Sequence, residues 1–164
     1  MLPIDDFKAV VSNAPLFAID LVVVNSAQQL LVGLRKNAPA KGFWFVPGGR
    51  VYKNETQQQA FARISKQELG VALNIDNALL LGVHDHFYTD SIFGCNISTH
   101  YINTPYLLRI NEQDLVLPTE QHSEYKWVAL STLTQDASVH QFSKVFLPGL
   151  IQAGYRQSES ANAK

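Results

Sequence analysis

The feature that most restricts the fold is a Pro-Gly-Gly turn at residues 47–49, followed by a helix with recognisable signals at both ends. Glycine has no Cβ, so such a turn lets the backbone approach a ligand or metal closely. Thr56 and Gln59 have the spacing of a capping box, and Gly70 stands where a helix C-terminal glycine belongs. The pattern therefore predicts a helix from Thr56 to about Leu69 behind an accessible backbone turn.

The rest of the chain alternates short apolar segments with turn signals, a pattern that predicts strands and a terminal helix. The predicted strands cover residues 16–24, 29–35, 43–46, 79–88, 100–110 and 125–130. A second helix is predicted from about residue 139 to 152, shortened by Pro148. Strands mixed with one central and one terminal helix indicate an α/β (α+β) fold or a layered α/β/α domain.

Length and charge limit the classes of function. The chain has 164 residues, a net charge of -1 and 16% charged residues, which argues against a broad nucleic-acid or membrane-surface binder. Its single cysteine excludes an intramolecular disulfide. With no apolar run near 18 residues and no signal-peptide pattern, we expect a soluble, cytoplasmic protein. We expect one domain over residues 1–155 and a flexible polar tail over 156–164.

One face of the predicted helix carries candidate metal chemistry. Helical spacing places Gln67 and Glu68 on the same face as Ile64, and Glu68 is the only acid between residues 56 and 69. A carboxylate, an amide and a backbone carbonyl supply hard oxygen ligands that suit magnesium. The alternative is an ordinary amphipathic helix with an exposed glutamate, and spacing alone favours that alternative.

The glycine turn and the helix together resemble the Nudix box, G-x5-E-x7-R-E-U-x-E-E-x-G-U, where U is aliphatic. Six positions of the pattern fall in register: Gly49, Glu55, Arg63, Glu68, Gly70 and Val71. The resemblance implies the Nudix α/β/α sandwich, with a mixed central sheet, over nearly the whole chain. It also implies hydrolysis of a nucleoside diphosphate linked to another group, assisted by a divalent metal. Glu55 and Arg63 are expected to form a structural pair.

The departures from the box change the expected chemistry. Ile64 and Gln67 stand where the pattern has glutamates, so two metal-binding carboxylates are missing. Several close cations would repel one another strongly around a single carboxylate. We therefore expect one Mg²⁺ per subunit, with Mn²⁺ as a substitute. By the resemblance, its ligands include the Gly48 carbonyl and Glu68.

Segments outside the box resemble one branch of the family, the GDP-mannose mannosyl hydrolases, which lack the same glutamates. These segments are residues 42–50, 53–55, 82–88, 99–101 and 118–122. The resemblance implies that water attacks the anomeric carbon of GDP-mannose, or also of GDP-glucose, with inversion and release of GDP. It also suggests a homodimer.

The same resemblance assigns roles to individual side chains. His122 matches the general base, Gln121 the third magnesium ligand, and Arg35 and Arg50 the groups that stabilise the leaving diphosphate. The residues expected near the substrate are Phe7, Asp20, Arg35, Lys36, His86 and Tyr101. From the residues alone, an exposed loop histidine is the favoured interpretation of His122. A structural role is the alternative for Asp20, His86 and Tyr101, and an N-terminal core contact is the alternative for Phe7.

Other functions stay open at this stage. A Nudix pyrophosphatase would cleave a phosphorus–oxygen bond of a nucleotide sugar instead of the bond to carbon. A catalytically silent domain would bind a nucleotide sugar without hydrolysing it, which the missing box glutamates permit. A protein-interaction domain has support only from apolar segments near the two ends of the chain.

Overall fold

The computed structural model describes residues 2–118 and 122–155. It contains three α-helices and eight β-strands within those residues. In chain order the elements are α1 Ile4–Asn13, β1 Leu16–Val24, β2 Gln29–Arg35, β3 Trp44–Phe45, β4 Gly48–Arg50, α2 Gln57–Leu69, β5 Leu79–Leu80, β6 His84–Tyr88, β7 Thr99–Arg109, β8 His122–Ala129 and α3 Leu147–Gln152.

The strands form one mixed sheet. Its main path runs β3-β2-β1-β7-β5, while β4 pairs with β1, β6 with β7 and β8 with β2. The β1–β7 pair is parallel over the whole of β1, whereas the other pairs are antiparallel. Parallel strands occur almost only where both faces of the sheet are covered, so a helical layer is expected on each side of this central pair.

Each face of the sheet packs against a helical layer. On one face, Ile19, Leu21 and Val23 of β1 pack with Phe61 and Ile64 of α2. The alternate residues of β1, Val22 and Val24, belong to a second buried core that contains Phe146, Leu147 and Leu150 around α3. Side chains alternate across a strand, so β1 supplies both cores. The expected α/β (α+β) sandwich with a mixed sheet is confirmed.

Helix α2 has the terminal signals that the sequence predicts. The Thr56 side chain accepts from the Gln59 backbone N–H, and the Gln59 side chain accepts from the Thr56 N–H. Gly70 ends the helix in the left-handed region at φ 78°, and a Cβ there would overlap the Val116 carbonyl. The capping box and the terminal glycine therefore fix where α2 begins and ends.

Several boundaries differ from the predictions. Residues 48–50, predicted as a turn, form a short strand because they pair with β1 over Ala18–Asp20. The predicted strand 79–88 is divided at Gly82, whose φ of 110° interrupts the extended chain. The predicted helix 139–152 shortens to α3, preceded by a 3-10 turn. Helix α1 was not predicted. Among the described residues, no helix is long and apolar enough to cross a membrane.

Candidate active site

A cavity of about 230 Å³ opens at the end of the sheet, next to the glycine turn and α2. Strand register brings its floor together, because Ala18 of β1 pairs with both Arg50 and Asn103, and Tyr101 pairs with His86. Directly paired residues point to the same face of a sheet. The floor is thus built from four strands that are far apart in sequence.

Asp20 lies in this floor with its side chain buried at 6% exposure. Burial raises the pKa of its carboxyl to about 7, and the neighbouring Asn103 side chain and the charge of Arg35 limit the rise. A Cβ at Gly48 would come within 2.5 Å of Asp20 Oδ1. Glycine at position 48 therefore leaves the space that the carboxyl group occupies.

His86 forms another part of the floor and is 2% exposed. Its ring stacks on Phe142, with centroids 4.3 Å apart and planes at 2°. Burial, followed by the charges of His84 and His140, lowers the pKa of His86 to about 4. The imidazole is therefore neutral at physiological pH and suits a hydrogen-bonding role.

Three polar atoms of the floor have no partner in the described part of the chain. They are Asp20 Oδ2, His86 Nε2 and Asn103 Oδ1. Buried polar atoms in native proteins are nearly always hydrogen-bonded, to protein or to ordered water. Unpaired atoms that face a cavity indicate a place where a polar ligand or water completes the hydrogen bonds.

Two arginines border the same cavity and make no salt bridge with a carboxylate of the described residues. Arg35 donates from Nε to the Pro39 carbonyl at 3.0 Å. The Arg50 guanidinium lies between two rings, 3.9 Å from the Phe7 centroid and 5.4 Å from that of Tyr52. Both arginines are thus held in place while their charges stay available for an anion.

The helix side of the cavity carries Glu68, which is 3% exposed. His122 Nε2 lies 3.2 Å from Glu68 Oε2, and His122 is 2% exposed. The His122 ring packs so closely on Gly33 that a Cβ at that position would overlap it. The exposed-loop interpretation of His122 is therefore wrong, because this residue is buried and begins β8.

The positions where the box glutamates are missing have ordinary structural roles. Ile64 is 1% exposed and packs against Gly49. Gln67 accepts a hydrogen bond from Arg63 at 3.0 Å. The predicted Glu55–Arg63 pair is confirmed, with contacts of 2.7 and 2.8 Å, and Arg63 also donates to the Arg50 carbonyl. Helix α2 therefore presents one carboxylate to the cavity.

The predicted metal ligands of this region are hard oxygen donors, the kind that a divalent cation such as Mg²⁺ prefers. Within residues 2–118 and 122–155, no group of three or more His, Cys, Asp and Glu side chains could hold a metal ion. Glu68 and Gly48 nevertheless line one cavity, and the Glu68 carboxylate is buried there without a lysine or arginine partner among the described residues. Gln121, the third predicted ligand, lies outside the described residues.

The structure brings most of the predicted site residues together. Those that line the cavity are Asp20, Arg35, Gly48, Arg50, Glu68, His86 and Tyr101. His122 is outside this lining, but it contacts Glu68 and pairs with Arg35 across β8 and β2. Phe7 is also outside the lining and contacts Arg50. Lys36 is exposed and is not part of the lining. Burial raises the pKa of the Tyr101 hydroxyl, so Tyr101 stays protonated and is able to donate a hydrogen bond.

Sequence reasoning missed two residues of the floor, Asn103 and Tyr88. A signal was present in each case. Asn103 is two residues after Tyr101, and Tyr88 is two residues after His86, so each shares a strand face with a predicted site residue.

Comparison with known proteins identifies the family. Residues 15–150 match the family model described as NUDIX domain. The chain is 42% identical over 126 residues to low-salt glycan biosynthesis protein Agl8 of Haloferax volcanii, a match that covers 76% of this chain and 78% of that protein.

Solved structures agree with this match. A MutT NUDIX hydrolase from Burkholderia pseudomallei superposes with a TM-score of 0.67 and 27% identity, covering 84% of this chain and 99% of that one. A MutT protein from Methanosarcina mazei Go1 gives a TM-score of 0.68 at 19% identity, covering 87% and 99%. The matched residues include every element that builds the cavity. The chain belongs to the Nudix family.

Proposed function

We propose that this protein hydrolyses GDP-mannose to GDP and free mannose by attack of water on the anomeric carbon, with inversion. One observation carries the proposal: α2 offers a single carboxylate, Glu68, to the cavity, because Ile64 is in the core and Gln67 is an amide. Chemistry at phosphorus with several metals needs more carboxylates than α2 supplies. Chemistry at carbon needs only a stabilised diphosphate leaving group and a base.

The charges of the cavity favour one orientation of a nucleotide sugar. Arg35 and Arg50 provide the cationic side, where phosphate oxygens find guanidinium donors. Asp20, His86 and Asn103 provide a floor of buried polar groups, which suits hydroxyl groups and disfavours phosphate. The diphosphate is thus assigned to the arginines and the sugar to the floor. The choice of guanine and mannose comes from the sequence resemblance, and the glycan-related name of the Haloferax relative agrees with a sugar substrate.

The leaving group needs neutralisation as the bond between the anomeric carbon and oxygen breaks. The electron pair of that bond goes to the diphosphate oxygen, where charge develops. Arg35 and Arg50 offer guanidinium donors, and Tyr101 is able to donate its hydroxyl hydrogen. Glu68 and the Gly48 carbonyl, with Gln121, would hold one Mg²⁺, which would add positive charge on the diphosphate when bound.

We assign the general base to His122, which takes a proton from the attacking water. Its contact with Glu68 supports this role, since an Nε2–H that donates to the carboxylate leaves Nδ1 with the free lone pair. His122 Nδ1 has no partner in the described part of the chain, but it is buried against Gly33 and His122 is outside the cavity lining, so the base role requires the ring to turn towards the cavity when substrate binds. Asp20 is the competing candidate, because its carboxyl lines the cavity itself and burial raises its pKa to about 7.

Product analysis tests the reaction. The protein is incubated with magnesium and a panel of GDP-mannose, GDP-glucose and GDP-fucose in water enriched in heavy oxygen. We expect GDP plus free mannose, with the label in the sugar and an initial β-anomer. GMP plus mannose phosphate, with the label in phosphate, would establish a pyrophosphatase instead. Binding without turnover of any GDP-sugar would establish the silent binding domain.

We also propose that the active form is a homodimer. Helix α1 exposes Ile4 at 64% and Val10 at 37%, and the preceding Leu2 is 51% exposed. Apolar residues grouped along one segment favour an interface with a second copy. Sedimentation equilibrium at several concentrations checks this, and a Val10→Glu variant should shift the equilibrium towards monomer.

A further inference from the structure

Asn103 lies in the floor of the cavity with 3% of its side chain exposed. It comes from β7, where its backbone pairs with Ala18 of β1 and His84 of β6. Its side chain lies near the Asp20 carboxyl and lowers the pKa of that group. Its carbonyl oxygen, Oδ1, has no partner in the described residues.

This arrangement indicates the orientation of the Asn103 side-chain amide. A neighbour that lowers the pKa of a carboxyl group favours its ionised form, which only accepts, so the Asn103 NH₂ group is the end that faces Asp20. The orientation leaves Oδ1 as a free acceptor, and the neighbouring Asp20 Oδ2 is also unpaired. Two buried acceptors side by side require a ligand that brings hydrogen-bond donors.

A phosphate group does not meet that requirement, because at neutral pH its oxygens accept and carry negative charge. An apolar group would leave both acceptors buried and unpaired, at the full cost of removing them from water. A polyhydroxylated ring meets it, since each hydroxyl both donates and accepts. The chemistry of the floor therefore selects a sugar with free hydroxyl groups.

We propose that Asn103 is a specificity-determining residue that accepts, through Oδ1, a hydrogen bond from one hydroxyl of the sugar, while its NH₂ group orients Asp20. The inference rests on the proposed function and deepens it, because it names a residue that distinguishes a hydroxylated sugar from one that lacks that hydroxyl. A site built to bind a hydroxyl rejects an analogue without it far more strongly than an apolar pocket rejects a missing methylene.

The experiment compares GDP-mannose with its 2-, 3-, 4- and 6-deoxy analogues on the wild-type protein and on Asn103→Ala. We expect wild type to lose roughly tenfold or more in kcat/KM for one analogue. In Asn103→Ala, kcat/KM for GDP-mannose should fall by a similar factor, whereas kcat/KM for that one analogue should change little. The variant should therefore no longer discriminate between the two substrates. The intrinsic reactivity of each analogue cancels when these ratios are compared between the two proteins.

Thr104→Val is the matched control. Thr104 is the next residue on β7, is equally buried and donates to the Ala18 carbonyl instead of facing the cavity. Its substitution should lower the melting temperature and leave the discrimination among analogues unchanged. Asn103→Leu provides a second variant of similar volume, which guards against the misfolding of a truncated side chain.

Two results would overturn the inference. Asn103 could act only by setting the pKa of Asp20, without contacting the sugar. In that case Asn103→Ala will change the rate for all analogues by the same factor and shift the pH profile. If Asn103 only supports the sheet, the variant will lose affinity for GDP itself as well as for the sugars.

Binding measurements distinguish failure of the proposed hydrolase function from failure of the inference about Asn103. Should no GDP-sugar be hydrolysed, the dissociation constants of GDP-mannose and GDP replace the rates. A wild-type preference for GDP-mannose that Asn103→Ala abolishes would then support the inference about Asn103, although the hydrolase proposal had failed. Equal binding of GDP-mannose and GDP by wild type would overturn both.

Discussion

The two sides of the cavity differ in how their polar groups are paired. On the helix side, Arg63 is bonded to Glu55, Gln67 and the Arg50 carbonyl. Glu68 contacts His122, whose Nδ1 is the one buried atom of that side without a partner among the described residues. On the sheet side, Asp20, His86 and Asn103 each keep a buried atom without a partner among the described residues.

This difference separates framework from binding surface. A fully bonded network is rigid and holds its members in one geometry, whereas unpaired buried atoms raise the free energy of the protein until a ligand bonds them. We therefore expect the Arg63 network on the helix side to preserve the Nudix frame and the sheet side to recognise the substrate. Substitutions on the two sides should have different consequences, which the following predictions test.

The largest effect is expected for His122→Gln. Glutamine keeps a donor near Glu68 but lacks a basic ring nitrogen, so we expect turnover to fall by roughly 10²–10⁴-fold, the usual contribution of a general base. Magnesium binding and the melting temperature should stay close to those of wild type. Steady-state kinetics with GDP-mannose and calorimetric titration with magnesium measure both quantities.

His100→Gln is the control for that variant. His100 contacts Asp85 at 3.1 Å and does not line the cavity, so its loss should leave turnover unchanged. Turnover at the wild-type rate in His122→Gln would remove His122 from the base role. A loss confined to Asp20→Asn would then assign the base to Asp20 and move the chemistry to the sheet side.

The next largest effect is expected on the pH dependence of the free energy of unfolding, and it depends on Asp20. Burial raises the pKa of its carboxyl from 3.8 to about 7 in the folded protein. Between these values the folded state holds a proton that the unfolded state has lost, so wild type becomes less stable as pH rises through that window. Asp20→Asn cannot ionise, and its free energy of unfolding relative to wild type should increase by up to about 4 kcal/mol between pH 4 and pH 8.

Denaturant titrations of the ligand-free protein at several pH values measure that change. Asp5→Asn, an exposed substitution on α1, controls for the loss of one negative charge. If the stability difference between Asp20→Asn and wild type stayed constant from pH 4 to pH 8, the carboxyl would be solvated and the sheet side would not be desolvated as described.

Much of the fold follows from local sequence, and the site follows only in part. The bounds of β1, β2 and α2 agree with the apolar segments and the capping signals, because these elements are long or have chemically defined ends. Strand β4 was predicted as a turn, since its pairing with β1 is a tertiary contact that Pro-Gly-Gly does not encode.

The contacts within the site show the same limit. Asp20 could be identified as a polar residue in an apolar strand, but its neighbour Asn103 lies 83 residues away and meets it through parallel pairing of β1 with β7. The burial of His122 also depends on a distant residue, Gly33, which leaves room for its ring. Sequence patterns report local periodicity, whereas these contacts depend on sheet register.

Substitution of Arg50, which joins the two sides of the cavity, is expected to lower kcat by less than substitution of His122 does. Arg50→Gln removes a charge that we assign to the leaving diphosphate, so we expect kcat to fall by roughly 10²-fold, as for loss of one electrostatic stabiliser. Arg50→Lys should be impaired less, because it keeps the charge but loses the planar stack between Phe7 and Tyr52.

Arg109→Lys is a matched control for Arg50→Lys. Arg109 also lies over an aromatic ring, 5.5 Å from the Tyr155 centroid, but outside the cavity. Its substitution should leave kcat unchanged. Equal kcat values for Arg50→Gln and wild type would contradict the assignment of the diphosphate to this end of the cavity.

The smallest effect is expected at the start of α2, and it separates framework from chemistry. Thr56→Ala removes the side-chain acceptor for the Gln59 N–H, which should cost about 1 kcal/mol of stability. Thr56→Ser keeps that hydroxyl and should recover most of the loss. Chemical denaturation measures the stability, and kcat for GDP-mannose should be the same in all three proteins, because the capping contact is made far from Asp20 and Asn103 in the bonding network. A fall in kcat that follows the fall in stability would show that the helix side takes part in recognition, and the division between the two sides would then have to be abandoned.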